Sequence, residues 1–289
     1  MGLLFLLNSC GIFGIHFHVH NPKISGKYPK FDEETILLGE LSKIREGFDV
    51  TYYDLDLHLD PNNETIGGWV EIQATAISDI DSIQLDLDQQ FDINSLTFGV
   101  REGQDLSYHR MQRGIFIQLP KTISTGERFS IHVNYKGKPI KAKKPPWDGG
   151  AVWEKDKNKR PWIGVTCELE GPSIWFPCKD HTSDEPDSAY LRFSTPNNLM
   201  VVSNGQYQDA RFTKEGYLKH EWKVTYPIDV YNITFYAGHY TTIHDTYKGI
   251  NGKTLKLTHY VLSGNSGKAT NHFKQVKKHI RAYENLYGE

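Results

Sequence analysis

The sequence predicts a mostly β chain: antiparallel strands packed as a saddle or sandwich, followed by the first strand and first helix of a second, incomplete α/β unit. From Phe48 onward apolar residues recur at every second position through a series of short segments, the pattern of strands with one buried and one wet face. Beyond Asn251-Gly252 the period changes, and Phe273, Val276, Ile280, Tyr283 and Leu286 recur at helical spacing among Lys274, Lys277, Lys278 and Arg281, as in an amphipathic helix. A chain of 289 residues with 38% hydrophobic and 12% aromatic content can bury a core large enough for this architecture.

Residues 1–47 read as a leader and an N-terminal extension. Leu3-Leu4-Phe5-Leu6-Leu7-Asn8-Ser9-Cys10 is a short apolar run closed by a small residue and a cysteine. It resembles the end of a bacterial lipoprotein signal, with Cys10 the lipidated residue. No Lys or Arg precedes it, so the usual positive start of such a signal is missing. Export to the periplasm or a membrane anchor through Cys10, or else a cytoplasmic protein, are both open. The run is too short to span a bilayer. His16, His18 and His20 would share one face of an extended segment, a pattern that is more often incidental than metal-binding. Phe31 to Arg45 predicts a short helix with Ile36, Leu37, Leu41 and Ile44 near one stripe.

Residues 48–248 carry the strands. Tyr53, Leu55, Leu57 and Leu59 alternate with Asp54, Asp56, His58 and Asp60; the Asp row reads as a solvated face, without the wrapping loop a calcium ion needs. Pro61-Asn62-Asn63 turns the chain into Val70, Ile72, Ala74 and Ala76. Further apolar pieces follow at Ile83 to Leu87, Ile93 to Val100, Ile115 to Leu119 and Phe129 to Tyr135, and strands resume after residue 190. Residues 249–289 read as the opening of a truncated second domain, because one strand and one helix are too little to fold alone.

Charge excludes some partners. With 33 basic and 35 acidic residues the formal net charge is −2, so no global field favours nucleic acid or an anionic membrane. The lysines at 136, 138, 141, 143 and 144 lie among Pro139, Pro145 and Pro146 and read as a solvated connection. No nucleophile elbow, phosphate loop or dinucleotide glycine loop occurs. Cys167 and Cys178 either pair, in an exported protein, or stand as buried free thiols.

The stretch Trp162 to Ser188 combines the carboxylates of Glu168 and Glu170, the turn Gly171-Pro172, the aromatics Trp175 and Phe176, and a charged run broken by Pro186. That composition suits a pocket wall. Gly149-Gly150, just upstream, suits a loop at the mouth of a cleft, where a side chain would block close approach. Trp175 and Phe176 are as suited to a core as to a pocket lining. Lys179, Asp180, His181, Asp184, Glu185 and Asp187 read as a solvated, ion-paired loop.

Cys167-Glu168, followed nine positions later by Pro177-Cys178-Lys179-Asp180, resembles the segment that precedes the catalytic domain in the aminopeptidase N family of zinc metallopeptidases, peptidase family M1, which includes the leukotriene hydrolases. Tyr53-Asp54-Leu55-Asp56-Leu57-His58-Leu59, Pro146-Trp147-Asp148-Gly149-Gly150 and Tyr231-Asn232-Ile233-Thr234-Phe235-Tyr236 match the family in the same order. The lipoprotein-like start makes the resemblance one to a bacterial member. It implies an N-terminal β domain running into a thermolysin-like catalytic domain, and a complete enzyme that removes N-terminal residues from peptides by zinc-activated water. It also implies that Glu168 binds the substrate's free α-ammonium, with Glu170, Gly149 and Gly150 along the same cleft. Many members have an Arg five positions after the equivalent of Glu168, whereas this chain has Ser173.

Zinc would need His-Glu-x-x-His and a more distant Glu. The nearest approach is His220-Glu221-Trp222-Lys223-Val224, where Val224 stands in the second histidine's place and the context alternates as a strand. No catalytic or metal-ligating residue is therefore assigned, and in the resembled family the zinc and Gly-x-Met-Glu-Asn motifs lie downstream of the final helix. The alternative to this reading is a non-catalytic β-sandwich module or scaffold that binds protein or glycan at a cell surface.

Overall fold

The strand Phe48–Asp60 is the axis of the molecule, as its alternation predicts. Tyr53, Leu55, Leu57 and Leu59 are all buried, and each leucine so placed contributes about 2 kcal/mol of transfer free energy. The computed structural model describes residues 33–196 and 199–288; Cys10 and the histidines at 16, 18 and 20 lie outside them. An eight-stranded sheet surrounds the axial strand in the order Gln206–Phe212, Leu218–Val224, Ser188–Thr195, Phe48–Asp60, Thr65–Ala76, Arg128–Gly137, Phe91–Phe98 and Gln104–Asp105.

Neighbours in this sheet run antiparallel with one exception. Phe48–Asp60 pairs in parallel with Ser188–Thr195, in the register Leu55 with Leu191 and Leu57 with Phe193. A parallel pair requires a crossover rather than a hairpin. Here the whole intervening chain is the crossover, and it holds the stretch from Trp162 to Ser188. The outward Asp row is laced with ions rather than simply solvated: Asp54 pairs with Arg192, and Asp56 with Lys219 at 2.7 Å.

Three smaller sheets complete the fold. Ile80–Asp86, Gly114–Ile123 and Tyr108–Met111 form one; Met200–Ser203, Phe235–Gly238, Pro161–Thr166 and Gly150–Lys155 form another; Tyr240–Lys248 and Thr254–Leu262 form a hairpin. The first two share a single hydrophobic core with the large sheet. Trp175 and Phe176 belong to that core, both fully buried. The hydroxyl of Tyr135 donates to the Trp175 carbonyl at 2.7 Å, the polar handle a buried tyrosine needs.

The two ends of the chain depart from simple periodicity. The helix expected up to Arg45 is two short helices, Glu33–Gly39 and Lys43–Glu46. Ile36 and Leu41 are exposed, Leu37 and Ile44 are half-buried and Arg45 is fully buried, so only part of the stripe docks. The charged Arg45 docks because both terminal nitrogens of its guanidinium find partners: Nη1 donates to the carbonyls of Leu38 and Glu40, and Nη2 lies 2.5 Å from Asp86. At the other end Ser266–His272, a 3₁₀ turn and Val276–Tyr287 continue the helical path. Gly288, at φ 83°, closes it with its N–H on the Glu284 carbonyl at 3.0 Å. Tyr247 donates to Glu284, and Arg281 to the Lys248 carbonyl at 3.1 Å, so this helix leans on the hairpin. Residues 248 and 249, where sequence places a boundary, sit at the hairpin's turn.

Candidate functional site

The strand Pro161–Thr166 delivers the chain to Cys167, whose carbonyl accepts from the N–H groups of Glu170 and Gly171 at 3.1 and 2.9 Å. This tight turn sets Leu169 at φ 63° and leaves it 87% exposed. Gly171, at φ 79°, is required on two grounds: its backbone region, and the carboxylate of Asp180, 2.3 Å from where a Cβ would stand. Pro172 then opens the 3₁₀ turn Pro172–Ile174 and the chain dives into the core.

The four residues singled out as cleft wall come together. Gly150 pairs with Thr166 across the hairpin of Gly150–Lys155 and Pro161–Thr166. Gly149 lies against the Glu168–Glu170 turn so closely that a Cβ would stand 2.5 Å from the Glu170 side chain and 2.9 Å from the Glu168 carbonyl. Gly150, at φ 140°, passes the backbone of Ala142, whose nitrogen would be 2.4 Å from a Cβ. The loop before them is folded on Asp148, which accepts from the N–H groups of Lys143 and Lys144 at 2.7 and 2.5 Å. Trp147 stands out from that loop into solvent.

The two glutamates differ in their surroundings. Glu170 is engaged by the turn residue Arg113, whose Nη2 donates to its carboxylate at 2.5 Å and whose Nη1 donates to its carbonyl at 2.8 Å. Arg113 also lies 3.4 Å from Asp88. Glu168 is half-exposed, and its Oε2 accepts from the hydroxyl of Tyr231 at 2.7 Å. That hydrogen bond, with the adjacent negative charge, pushes the Tyr231 hydroxyl up to about 12. The other oxygen of Glu168 has no hydrogen-bond partner among the described residues. A cavity of about 670 Å³ opens beside the turn, bordered by Leu169, Glu170, Tyr231, Asp180, His181 and Arg113.

The charged run after Cys178 is not the solvated loop its composition suggests. Lys179 and Asp184 are buried, while Glu185 and Asp187 are exposed. Lys179 donates to the Phe48 carbonyl at 2.6 Å, lies over the Phe48 ring and sits 3.5 Å from Asp184. Tyr53 donates to Asp184 at 3.3 Å and accepts from the Lys179 N–H at 3.1 Å. Burial pushes the Asp184 carboxyl up to about 7, against the attraction of Lys179. Asp180 is pushed up by burial too, while the Ser173 N–H bonded to it at 3.1 Å pulls the other way. These contacts tie the run to the axial strand, because desolvated charges persist only where partners saturate them.

Other sequence candidates resolve plainly. Cys167 and Cys178 are buried free thiols, and burial pushes Cys167 up to about 12. His220 to Val224 lie in the strand Leu218–Val224, with the His220 ring on the Leu199 carbonyl at 3.2 Å. Consecutive strand residues face opposite ways, so this segment cannot gather a metal. Among the described residues no group of three or more His, Cys, Asp or Glu is arranged to hold one, and no described residues fit as a zinc site. Arg113 was invisible to sequence reasoning: it sits in a hairpin turn with no pattern that points to Glu170. Tyr231 lay inside a recognised run of residues but carried no sign of its partner.

Comparison with known proteins bears on the family and the fold. The model of the peptidase M1 N-terminal domain matches residues 50–231. No curated protein sequence matches the chain. Among solved structures, the chain is similar to an M1 zinc metallopeptidase from Deinococcus radiodurans, in a mutant bound to the substrate Tyr-Ser-Ala, with TM-score 0.65 and 19% identity over 78% of this chain and 50% of that one. It is also similar to leukotriene A4 hydrolase from Saccharomyces cerevisiae in complex with bestatin, with TM-score 0.67 and 18% identity over 90% of this chain and 38% of that one. At these identities the likeness is one of fold, and the chain spans about half the length of the Deinococcus enzyme. The match over residues 50–231 and the shared fold lead to one conclusion: the chain belongs to the M1 peptidase family and carries its N-terminal domain.

Proposed function

We propose that this chain supplies one wall of the substrate cleft of a zinc-dependent aminopeptidase, with Glu168 as the anchor for the free α-ammonium of a peptide. The observation that supports this reading most is the meeting of Glu168 with Gly149 and Gly150 at the end of one hairpin, with one carboxylate oxygen uncommitted. A half-desolvated carboxylate favours a cationic amine by a charge-assisted hydrogen bond. Holding that amine sets which peptide bond reaches the reacting centre. Glu170 is already held by Arg113, which makes Glu168 the freer carboxylate of the two. Zinc would supply the activated water, on ligands that the described residues do not include. A membrane connection, in this reading, runs only through a lipid on Cys10.

Two measurements test the proposal. Reading the frame beyond the codon of Glu289 is expected to reveal His-Glu-x-x-His and a more distant Glu; a natural stop there would overturn the catalytic reading. In the full-length protein, Glu168→Ala is expected to lower kcat/KM for amino-acyl arylamides roughly 10- to 100-fold, from the ~1.5–3 kcal/mol of a charged hydrogen bond. Unchanged kinetics in a folded variant would remove the amine-anchor role.

A further inference from the structure

We infer that Tyr231 is a positioning residue for Glu168: its hydroxyl holds one carboxylate oxygen and so leaves the other aimed at the incoming ammonium. The inference rests on the proposed role of Glu168 and assigns the residue that makes it effective.

Glu168 stands where the sheet has just ended. The following residue, Leu169, is in the left-handed region and exposed, so no ladder constrains the Glu168 side chain. A glutamate side chain free to sample its rotamers loses up to about 2 kcal/mol of entropy when a ligand orders it. Among the described residues the only hydrogen bond its carboxylate accepts is that from Tyr231, at 2.7 Å.

Tyr231 is itself mounted firmly. Its N–H donates to Asp229 Oδ1 at 2.8 Å, which caps the short 3₁₀ turn Val230–Asn232. Val230 is buried, and the N–H of Ile228 donates to the Pro186 carbonyl at 3.2 Å. The turn is therefore pinned to the segment that carries Asp184, itself bonded to the axial strand through Tyr53. A donor whose backbone is fixed is thus presented to a carboxylate with no other hydrogen-bond partner among the described residues, the arrangement that preorganises a binding group. The chemistry is also selective. A phenol donates a single proton, so it takes one carboxylate oxygen only. The raised Tyr231 value agrees with this assignment of donor and acceptor.

The experiment uses the full-length protein and four forms of it: wild type, Tyr231→Phe, Glu168→Gln and the double variant. Competitive inhibition is measured with L-phenylalaninamide and with 3-phenylpropanamide, which lacks the α-amine, alongside turnover of an amino-acyl p-nitroanilide. Tyr231→Phe is expected to weaken phenylalaninamide about three- to tenfold, the span of one hydrogen bond. It should leave 3-phenylpropanamide unchanged and add nothing in the Glu168→Gln background. If Tyr231→Phe weakens both amides equally, or still acts when Glu168 is Gln, the tyrosine is structural and the inference falls. If Glu168→Gln weakens phenylalaninamide and Tyr231→Phe does not, positioning is refuted while the amine anchor stands. If neither variant changes phenylalaninamide binding, the anchor itself is wrong and the positioning role goes with it.

Discussion

Replacing Arg45 by Met should cost about 3–5 kcal/mol of stability at neutral pH. Arg45 and Asp86 are both fully buried and lie 2.5 Å apart. Without the guanidinium, Asp86 keeps only Gln84 Nε2 at 3.0 Å and the Asp180 N–H at 3.1 Å. Removing one partner of such a pair leaves a desolvated charge, the most expensive way to break it. Burial already pushes the Asp86 carboxyl up to about 6 against the opposing pull of Arg45, and loss of Arg45 pushes it further in the same direction. A raised carboxyl contributes stability that is fully present below its unfolded value and is lost as pH rises through its folded value. The deficit of Arg45→Met should therefore be smaller at pH 5 than at pH 8. Urea unfolding followed by tryptophan fluorescence reads the loss as a midpoint shift of roughly 1–2 M. Adding Asp86→Asn should restore about half of it at pH 8 by removing the stranded charge. A loss below about 1 kcal/mol, a deficit equal at both pH values, or no recovery in the double variant would refute this account of the pair.

Two further outcomes follow from the geometry. Gly150→Ala should destabilise by about 2 kcal/mol or more, since φ 140° is strained for an L residue and the Cβ meets the Ala142 nitrogen at 2.4 Å; Gly126→Ala, at φ 82° with open space around the Cβ, should cost only about 1 kcal/mol, and thermal melts compare the two. Asp184 is raised from 3.8 to about 7 mainly by burial, so its contribution is present near pH 4 and is lost as pH rises to about 7, a change on the order of 4 kcal/mol. Asp184→Asn should flatten the fall of stability over that window, as measured by urea unfolding at a series of pH values; an unchanged slope would show that Asp184 does not titrate there.

Much of the β architecture was legible in the chain because a strand writes its burial into every second residue. Tyr53, Leu55, Leu57 and Leu59 announced the axial strand, and Gly288 announced the helix end. The family was legible through several short runs in order, which include Cys167-Glu168 and Pro177-Cys178. The parallel pairing of Phe48–Asp60 with Ser188–Thr195 was not, since alternation looks the same in either direction.

Composition assigned the wrong environment to the charges that matter most. Lys179 and Asp184 looked solvated, and Arg45 stood at the end of a short helix in the N-terminal extension, because hydropathy scores a residue without its partner. Burial of such groups depends on Asp86, Phe48 and Tyr53, which lie far away in sequence and close in space. The site divides the same way. The sequence by itself singled out Glu168, Glu170, Gly149 and Gly150, which meet at the end of one hairpin, since local turn chemistry and motif spacing are written in neighbouring residues. Only the tertiary structure decided that Arg113 occupies Glu170 while Tyr231 holds Glu168 by one oxygen, because each hydrogen bond joins segments that the crossover and the sheets alone bring within 3 Å.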